Sequence, residues 1–303
     1  MISTFLSIFT AGTLMTNDVP NAVPHTMPWN ENVLLEATAV PIKKEQNIAP
    51  VINAKAALVV DLKNGYILYE KNIHESLPIA SLTKLMTTTI VLEENSLDEI
   101  ATISDYTAST EGKKTWLASG EKITVENLLF AALIDSANDA AVALAEHNAG
   151  SVEAFVEKMN KKATDLGLLS TRFTNPTGLD EDNPGDDPEH PRGNYSSAYD
   201  LALLGRYAYG KSFVRRAVSK KELEVASTNE AIQHKLTNTN ELLGSYLKVL
   251  GLKTGTTDLA GECLITVIQN DQGNDILTVV LNSPSRFNET KLLADWTFRT
   301  YTW

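Results

Sequence analysis

Pro78-Ile-Ala-Ser-Leu-Thr-Lys-Leu-Met-Thr-Thr-Thr-Ile90 carries the reading of the fold, because a helix opens inside it beside two residues that can do chemistry. Pro78 and the change of pattern at Ala80 set the helix start at Ser81. From there Leu82, Leu85, Met86 and Ile90 recur at i, i+3, i+4 and i+8, the mark of one buried helical face. Ser81 and Lys84 are three residues apart and share a face, one turn from each other. A lysine with an ordinary pKa of about 10.4 is a poor base at neutral pH. Desolvation among Ile79, Leu85 and Met86, a second lysine nearby and the positive end of the helix dipole would each lower it. A neutral Lys84 would then accept the proton of a Ser81 nucleophile. Taken alone, the four residues read equally as a polar helix cap with a solvated lysine.

On the N-terminal side, Ala56–Asp61 and Tyr66–Tyr69 flank Asn64-Gly65, a strong hairpin signal. On the C-terminal side the chain is helical for more than a hundred residues. Helices are expected over Val125–Ile134, Ala140–His147, Val152–Leu166 and Ser197–Tyr209, the last two closed by Gly167 and Gly210. Strands then return at Leu223–Ala226, Leu247–Leu252, Cys263–Gln269 and Ile276–Leu281, followed by a terminal helix over about Asn288–Tyr301. Strands at both ends thus enclose a helical middle. The expected class is α+β: an antiparallel sheet flanked by helices, with an all-helical lobe inserted between its strands. The sheet lobe takes about residues 51–80 and 215–303, the helical lobe about 81–214.

Two further motifs follow in order, Ser136-Ala-Asn138 and Lys253-Thr-Gly255. The first falls in a break between two predicted helices, where Ser and Asn also serve as caps. Read as chemistry, Ser136 would pass a proton to a leaving amine and Asn138 would hold the Lys84 amine or a substrate amide. The second motif ends a predicted strand. Gly255 lets a substrate backbone approach closely, so that a peptide could add as an extra strand, with Lys253 and Thr254 binding a terminal carboxylate. Single motifs of this length arise by chance. The chain itself contains the decoys Ser245-Tyr-Leu-Lys248 and Ser227-Thr-Asn229. The ordered trio is the strong signal.

With these motifs, the chain from about Val51 to its C-terminus resembles the serine-type D-Ala-D-Ala carboxypeptidases of the low-molecular-mass penicillin-binding proteins. The likeness extends to Phe173-Thr-Asn-Pro-Thr-Gly-Leu179, Asn194-Tyr-Ser-Ser-Ala-Tyr-Asp-Leu-Ala202, the Asn238-Thr-Asn240 turn, the run from Lys253 through Leu264 and the Arg286-Phe287 pair. The resemblance implies a β-lactamase/transpeptidase-like fold. It also implies attack by Ser81 on the penultimate D-Ala carbonyl of peptidoglycan stem peptides, release of D-Ala and hydrolysis of the ester. The backbone N–H groups of Ser81 and Thr256 would then form the oxyanion hole, Arg286 would help hold the carboxylate, and β-lactams would be covalent inhibitors. No metal or organic cofactor is expected.

Composition narrows the partners. Twenty-six Lys and Arg against 38 Asp and Glu give a net charge of −12, which repels a phosphate backbone and argues against nucleic acid. The single Cys263, in an apolar run, excludes an intrachain disulfide and reads as a small buried hydrophobe. Residues 180–191 are dense in acids, and Asp180, Asp182 and Gly185 give them a superficial likeness to a calcium loop. Pro184 and Pro191 stand where that loop needs ligands, so a solvated surface loop is expected. Ile2–Met15 is apolar but shorter than a membrane span and lacks a basic start. With the proline-bearing segment 17–50 it reads either as the remainder of an export signal or anchor with a tether, or as a disordered N-terminal tail. The substrate class that the resemblance implies favours the first, and with it a protein exported to the cell envelope. The chain ends soon after its last predicted helix, where the resembled family often continues into a β-domain and an amphipathic anchor. Any membrane attachment is therefore expected at the N-terminus.

Three rival readings fit the same fold. A class A-like β-lactamase would carry a Glu-x-x-Leu-Asn loop, which is missing here; Glu241-Leu-Leu runs into Gly244-Ser245. A non-catalytic penicillin-binding protein would have lost Ser81, Lys84 or Lys253, and all three are present. A D,D-endopeptidase cutting peptidoglycan cross-links needs the same residues and a wider cleft, so it stays open.

Overall fold

Five antiparallel strands form the central sheet, in the order Lys248–Thr257, Gly261–Gln269, Asp275–Ser283, Ala56–Asp61 and Ile67–Lys71. The computed structural model describes residues 26–27, 40–44, 47–181 and 193–303. The expected export segment Ile2–Met15 and residues 182–191 of the acidic loop lie outside the described residues.

Alternation of side chains across a strand explains how this sheet is buried twice. Ala56, Leu58 and Val60 point into the larger core with Cys263, Ile265, Val267, Leu277 and Val279. Ala57 and Val59 point the other way, with Ile268, Ile276 and Val280, onto Leu293, Ala294 and Trp296 of the helix Arg286–Thr300. The larger core is closed by helices Lys84–Glu94, Asn138–Ala149 and Ala198–Tyr209. The α+β expectation therefore holds, with the central sheet's strands drawn from both ends of the chain. The middle is mainly but not wholly helical, since Ile100–Thr102 pairs with Lys122–Thr124 within it, and the packing helix Arg286–Thr300 comes from the C-terminal end.

Several details differ from the sequence reading, each for a local reason. The turn carrying Ser81, Ala80–Thr83, is 3₁₀ and passes into the α-helix at Lys84. The helix expected over Val125–Ile134 changes at Ala131 into a π turn that ends at Asp135. The edge strand does not stop at Leu252 but continues through Lys253-Thr-Gly255 to Thr257. A hairpin partner, Gln233–Thr237, pairs with Glu222–Ala226; its mostly polar residues gave no strand signal. Pieces of the expected tether are packed: Ile42–Lys43 pairs with Tyr301–Thr302, and Met27 is buried in the larger core. Among the described residues, no helix is long and apolar enough to cross a membrane.

Candidate active site

The site forms where the edge strand Lys248–Thr257 meets the Ala80–Thr83 turn. Gly255 makes the approach tolerable: a Cβ there would lie 2.9 Å from Ser81 N and 3.0 Å from Ile79 O. Ala80 adopts a left-handed φ of 47° immediately before Ser81, a conformation that disfavours a side chain. Its carbonyl is held by Thr83 Oγ1 at 2.8 Å. The nucleophile candidate thus sits on a backbone fixed from both sides.

Lys84 is fully buried one turn away. Its Nζ donates to Asn138 Oδ1 at 2.7 Å and to the Thr177 carbonyl at 2.7 Å, and lies 2.8 Å from Ser81 Oγ. A neutral amine has two N–H groups and one lone pair. The two carbonyl oxygens can only accept, so they take the two N–H groups and leave the lone pair to the Ser81 hydroxyl. Burial pushes Lys84 down to about 7; Asp139 opposes this and Lys113 adds to it. Of the three causes expected from sequence, desolvation is the largest. The second lysine felt by Lys84 is Lys113, which sequence spacing had not suggested.

Ser136 occupies the left-handed end of the π turn, φ 61°, and brings its Oγ within 2.8 Å of Lys253 Nζ, which donates to it. Lys253 also donates to the Thr254 carbonyl, at 2.9 Å. Burial, with Lys84, Lys113 and Arg286 nearby, lowers Lys253 well below its ordinary value. The carboxylate-binding part expected of Lys253 must therefore be played against burial. Its ammonium form needs a counter-charge, and an arriving carboxylate is one. Thr254 Oγ1 meets Thr239 Oγ1 of the Asn238-Thr-Asn240 turn at 2.5 Å. Arg286 Nη1 donates to the Gly255 carbonyl at 2.7 Å and to Thr256 Oγ1.

All nine candidates, Ser81, Lys84, Ser136, Asn138, Lys253, Thr254, Gly255, Thr256 and Arg286, are therefore brought to one place. The decoys are not. Ser227 and Asn229 bond to each other in a hairpin turn, and Ser245 Oγ accepts from Leu247 N in the turn that leads into the edge strand. Sequence reasoning missed Thr177, whose part is played by a backbone carbonyl, and Lys113, which pairs with Asp135 at 3.0 Å. Among the described residues no group of His, Cys, Asp or Glu could hold a metal ion. Cys263 is buried, and burial pushes its thiol up to about 11.

The same arrangement of sheet and helices occurs in penicillin-binding protein D2 of Listeria monocytogenes, solved in an ampicillin-bound form, with a TM-score of 0.66 and 34% identity over 83% of this chain and 99% of that one. The fold is thus of the β-lactamase/transpeptidase-like class. Within that class, residues 43–285 match the family model of the S11 peptidases, described as D-alanyl-D-alanine carboxypeptidase, and the chain belongs to this family. D-alanyl-D-alanine carboxypeptidase DacF of Bacillus subtilis is 37% identical over 82% of this chain and 63% of its own length. A D-alanyl-D-alanine endopeptidase of Pseudomonas aeruginosa is 32% identical over 80% of this chain and 76% of its own length. The chain thus spans less than two thirds of the first of these relatives.

Proposed function

We propose that the protein is a serine-type D-alanyl-D-alanine carboxypeptidase that removes the terminal D-Ala from peptidoglycan stem pentapeptides. The observation that carries this reading is a lysine lowered to about 7 with its Nζ 2.8 Å from Ser81 Oγ. In the mechanism, neutral Lys84 takes the Ser81 proton as Oγ attacks the penultimate D-Ala carbonyl. The Ser81 and Thr256 N–H groups receive the oxyanion, a contribution of about 3 kcal/mol per donor in other acyl-transfer enzymes. The C–N bond breaks as the proton taken from Ser81 passes from the Lys84 ammonium to the leaving amine by way of the Ser136 hydroxyl, itself held by Lys253. D-Ala departs and Lys84 is neutral again. Water then hydrolyses the ester, with Lys84 again as base. Lys253, Thr254 and Arg286 bind the substrate carboxylate, and Asn138 holds Lys84 or the substrate amide. The substrate adds along the exposed edge of Lys248–Thr257, as peptides do on other open sheet edges.

The division into a sheet lobe and a helical lobe at about residues 81 and 214, with the cleft between them, belongs to the same proposal. So do action outside the cytoplasm, N-terminal attachment to a membrane, and covalent capture of β-lactams. A D,D-endopeptidase is the second reading, favoured by the relative of that name. Labelled penicillin followed by peptide mass mapping tests the nucleophile: label on Ser81 is expected, and label on Ser245 or none would refute it. Release of D-Ala from a pentapeptide, measured against cleavage of a cross-linked dimer, separates the two activities.

A further inference from the structure

Thr177 reaches Lys84 from a stretch, residues 174–181, that has neither helix nor strand to hold it. A carbonyl aimed to 2.7 Å from a buried amine needs a local anchor. Asn175 supplies one. Its Oδ1 accepts from Gly178 N at 2.7 Å, Thr177 Oγ1 at 2.9 Å and Thr177 N at 3.1 Å. Its own backbone is tied to Asn194, whose Nδ2 donates to Asn175 O at 2.8 Å and to Thr83 Oγ1 at 2.9 Å. Thr83 Oγ1 donates to the Ala80 carbonyl. The loop is thus fastened to the nucleophile's own turn.

Gly178 shows how tight the fit is. It has φ +84°, and a Cβ on it would lie 1.9 Å from Ala80 O and 2.9 Å from Ser81 N. The Thr177–Gly178 peptide therefore does two things at once: its carbonyl faces Lys84 and its α-carbon backs the Ala80–Ser81 peptide.

We propose that Asn175 is a positioning residue for acylation: by gathering three donors on one side-chain oxygen, it fixes the Thr177–Gly178 peptide that orients the Lys84 amine and supports Ser81. The inference rests on the reading of Ser81 as nucleophile and Lys84 as base. The physical core is directional. With Asn138 Oδ1 and Thr177 O taking its two N–H groups, the neutral amine presents its lone pair to Ser81. Without the second oxygen in place the amine can turn, and a misplacement of about 1 Å at a reacting group costs up to about 100-fold in rate.

The test is the pH profile of penicillin acylation for the wild-type protein, Asn175→Ala and Asn175→Asp, each confirmed folded by circular dichroism at the assay temperature. The high-pH plateau reports positioning, because Lys84 is neutral there in every variant. Asn175→Ala removes the acceptor, and its plateau should fall by about 10- to 100-fold. Asn175→Asp keeps an oxygen for all three donors but gives up the Nδ2 bonds to Leu179 O and Glu181 Oε1, both 3.0 Å. It is therefore made together with Glu181→Gln to remove the facing carboxylate, and its plateau should then stay within about 3-fold of wild type. Its added carboxylate, close to Lys84, should move the acid limb to higher pH. A merely structural residue would lower the melting temperature without moving that limb. A plateau unchanged in Asn175→Ala, or lowered equally in both variants, overturns the proposal. If Asn175→Ala does not fold, an unmoved limb in Asn175→Asp overturns it alone. A wild-type protein that takes no label on Ser81 instead overturns the functional reading, and this inference with it.

Discussion

Replacing Lys84 with methionine tests whether this lysine is held neutral, and the size of the effect follows from its burial. In the unfolded chain Lys84 has the ordinary value of 10.5, and in the folded protein about 7. Between those values the unfolded state binds more protons, so wild-type stability rises with pH across that window. Below about 7 both states are protonated and the penalty is full and constant. The penalty is about 4 kcal/mol near pH 7 and about 1 kcal/mol near pH 10. Lys84→Met abolishes it at every pH. The variant also leaves Asn138 Oδ1 and the Thr177 carbonyl short of a donor, at about 1–3 kcal/mol each. That loss does not depend on pH and cancels in a comparison of two pH values. Lys253 is present in both proteins, and the part of its lowering that comes from Lys84 acts in the same direction as the Lys84 penalty, so it does not offset the expected gap. Urea unfolding of both proteins near pH 7 and near pH 10, analysed with a common slope, should show wild type gaining about 3 kcal/mol on the variant. A gap that stays constant within about 1 kcal/mol would mean that folded Lys84 titrates like an ordinary lysine, and the general-base argument would fail.

Acylation by a penicillin should rise with pH and level off above about 7, the value to which burial brings Lys84; a rate flat from about pH 5 to pH 9 would contradict a neutral-amine base. Gly255→Ala should slow acylation by about 100-fold, because its Cβ would lie 2.9 Å from Ser81 N and 3.0 Å from Ile79 O, both backbone atoms, so the oxyanion donors must part. Near wild-type acylation in that variant would show that the strand and the nucleophile turn are not tightly registered.

The sheet and the positions of the three motifs were legible because both rest on short-range pattern. Leu82, Leu85, Met86 and Ile90 declare a buried face whatever surrounds them, and the face carries Ser81 and Lys84 with it. Apolar runs at Cys263–Gln269 and Ile276–Leu281 mark strands that are buried on both faces. Legibility failed where a polar residue is buried by a partner distant in sequence. His234 is in a strand that sequence pattern missed; it is sunk against Glu121 at 2.8 Å and the Thr115 carbonyl at 3.1 Å. Lys253 and Thr254 looked like the end of a strand because they are polar, yet they are buried and the strand runs on past them. The Thr177 carbonyl could not be read at all. Every residue has one, and only the fold decides where it points.

Four departures from good folding practice gather at one place, while others, such as left-handed Asn72, Trp116, Glu230 and Asn282, lie elsewhere. Lys84 and Lys253 are charged residue types almost wholly withdrawn from water. Ala80 and Ser136 are non-glycine residues with left-handed φ of 47° and 61°, which costs about 1–2 kcal/mol each. Lys84, Lys253 and Ser136 are no part of the two apolar cores, and Ala80 brings the larger one only a methyl group. Each could be replaced by a residue that suits its environment better: an aliphatic side chain for the lysines, glycine for the left-handed positions. Together they put a serine hydroxyl, a lone pair and a second amine around one open strand edge. A doubly buried sheet can tolerate that local cost. Strain and buried charge found together, at the joint between a helix start and a strand edge, are what the proposed acyl transfer requires and the fold alone does not.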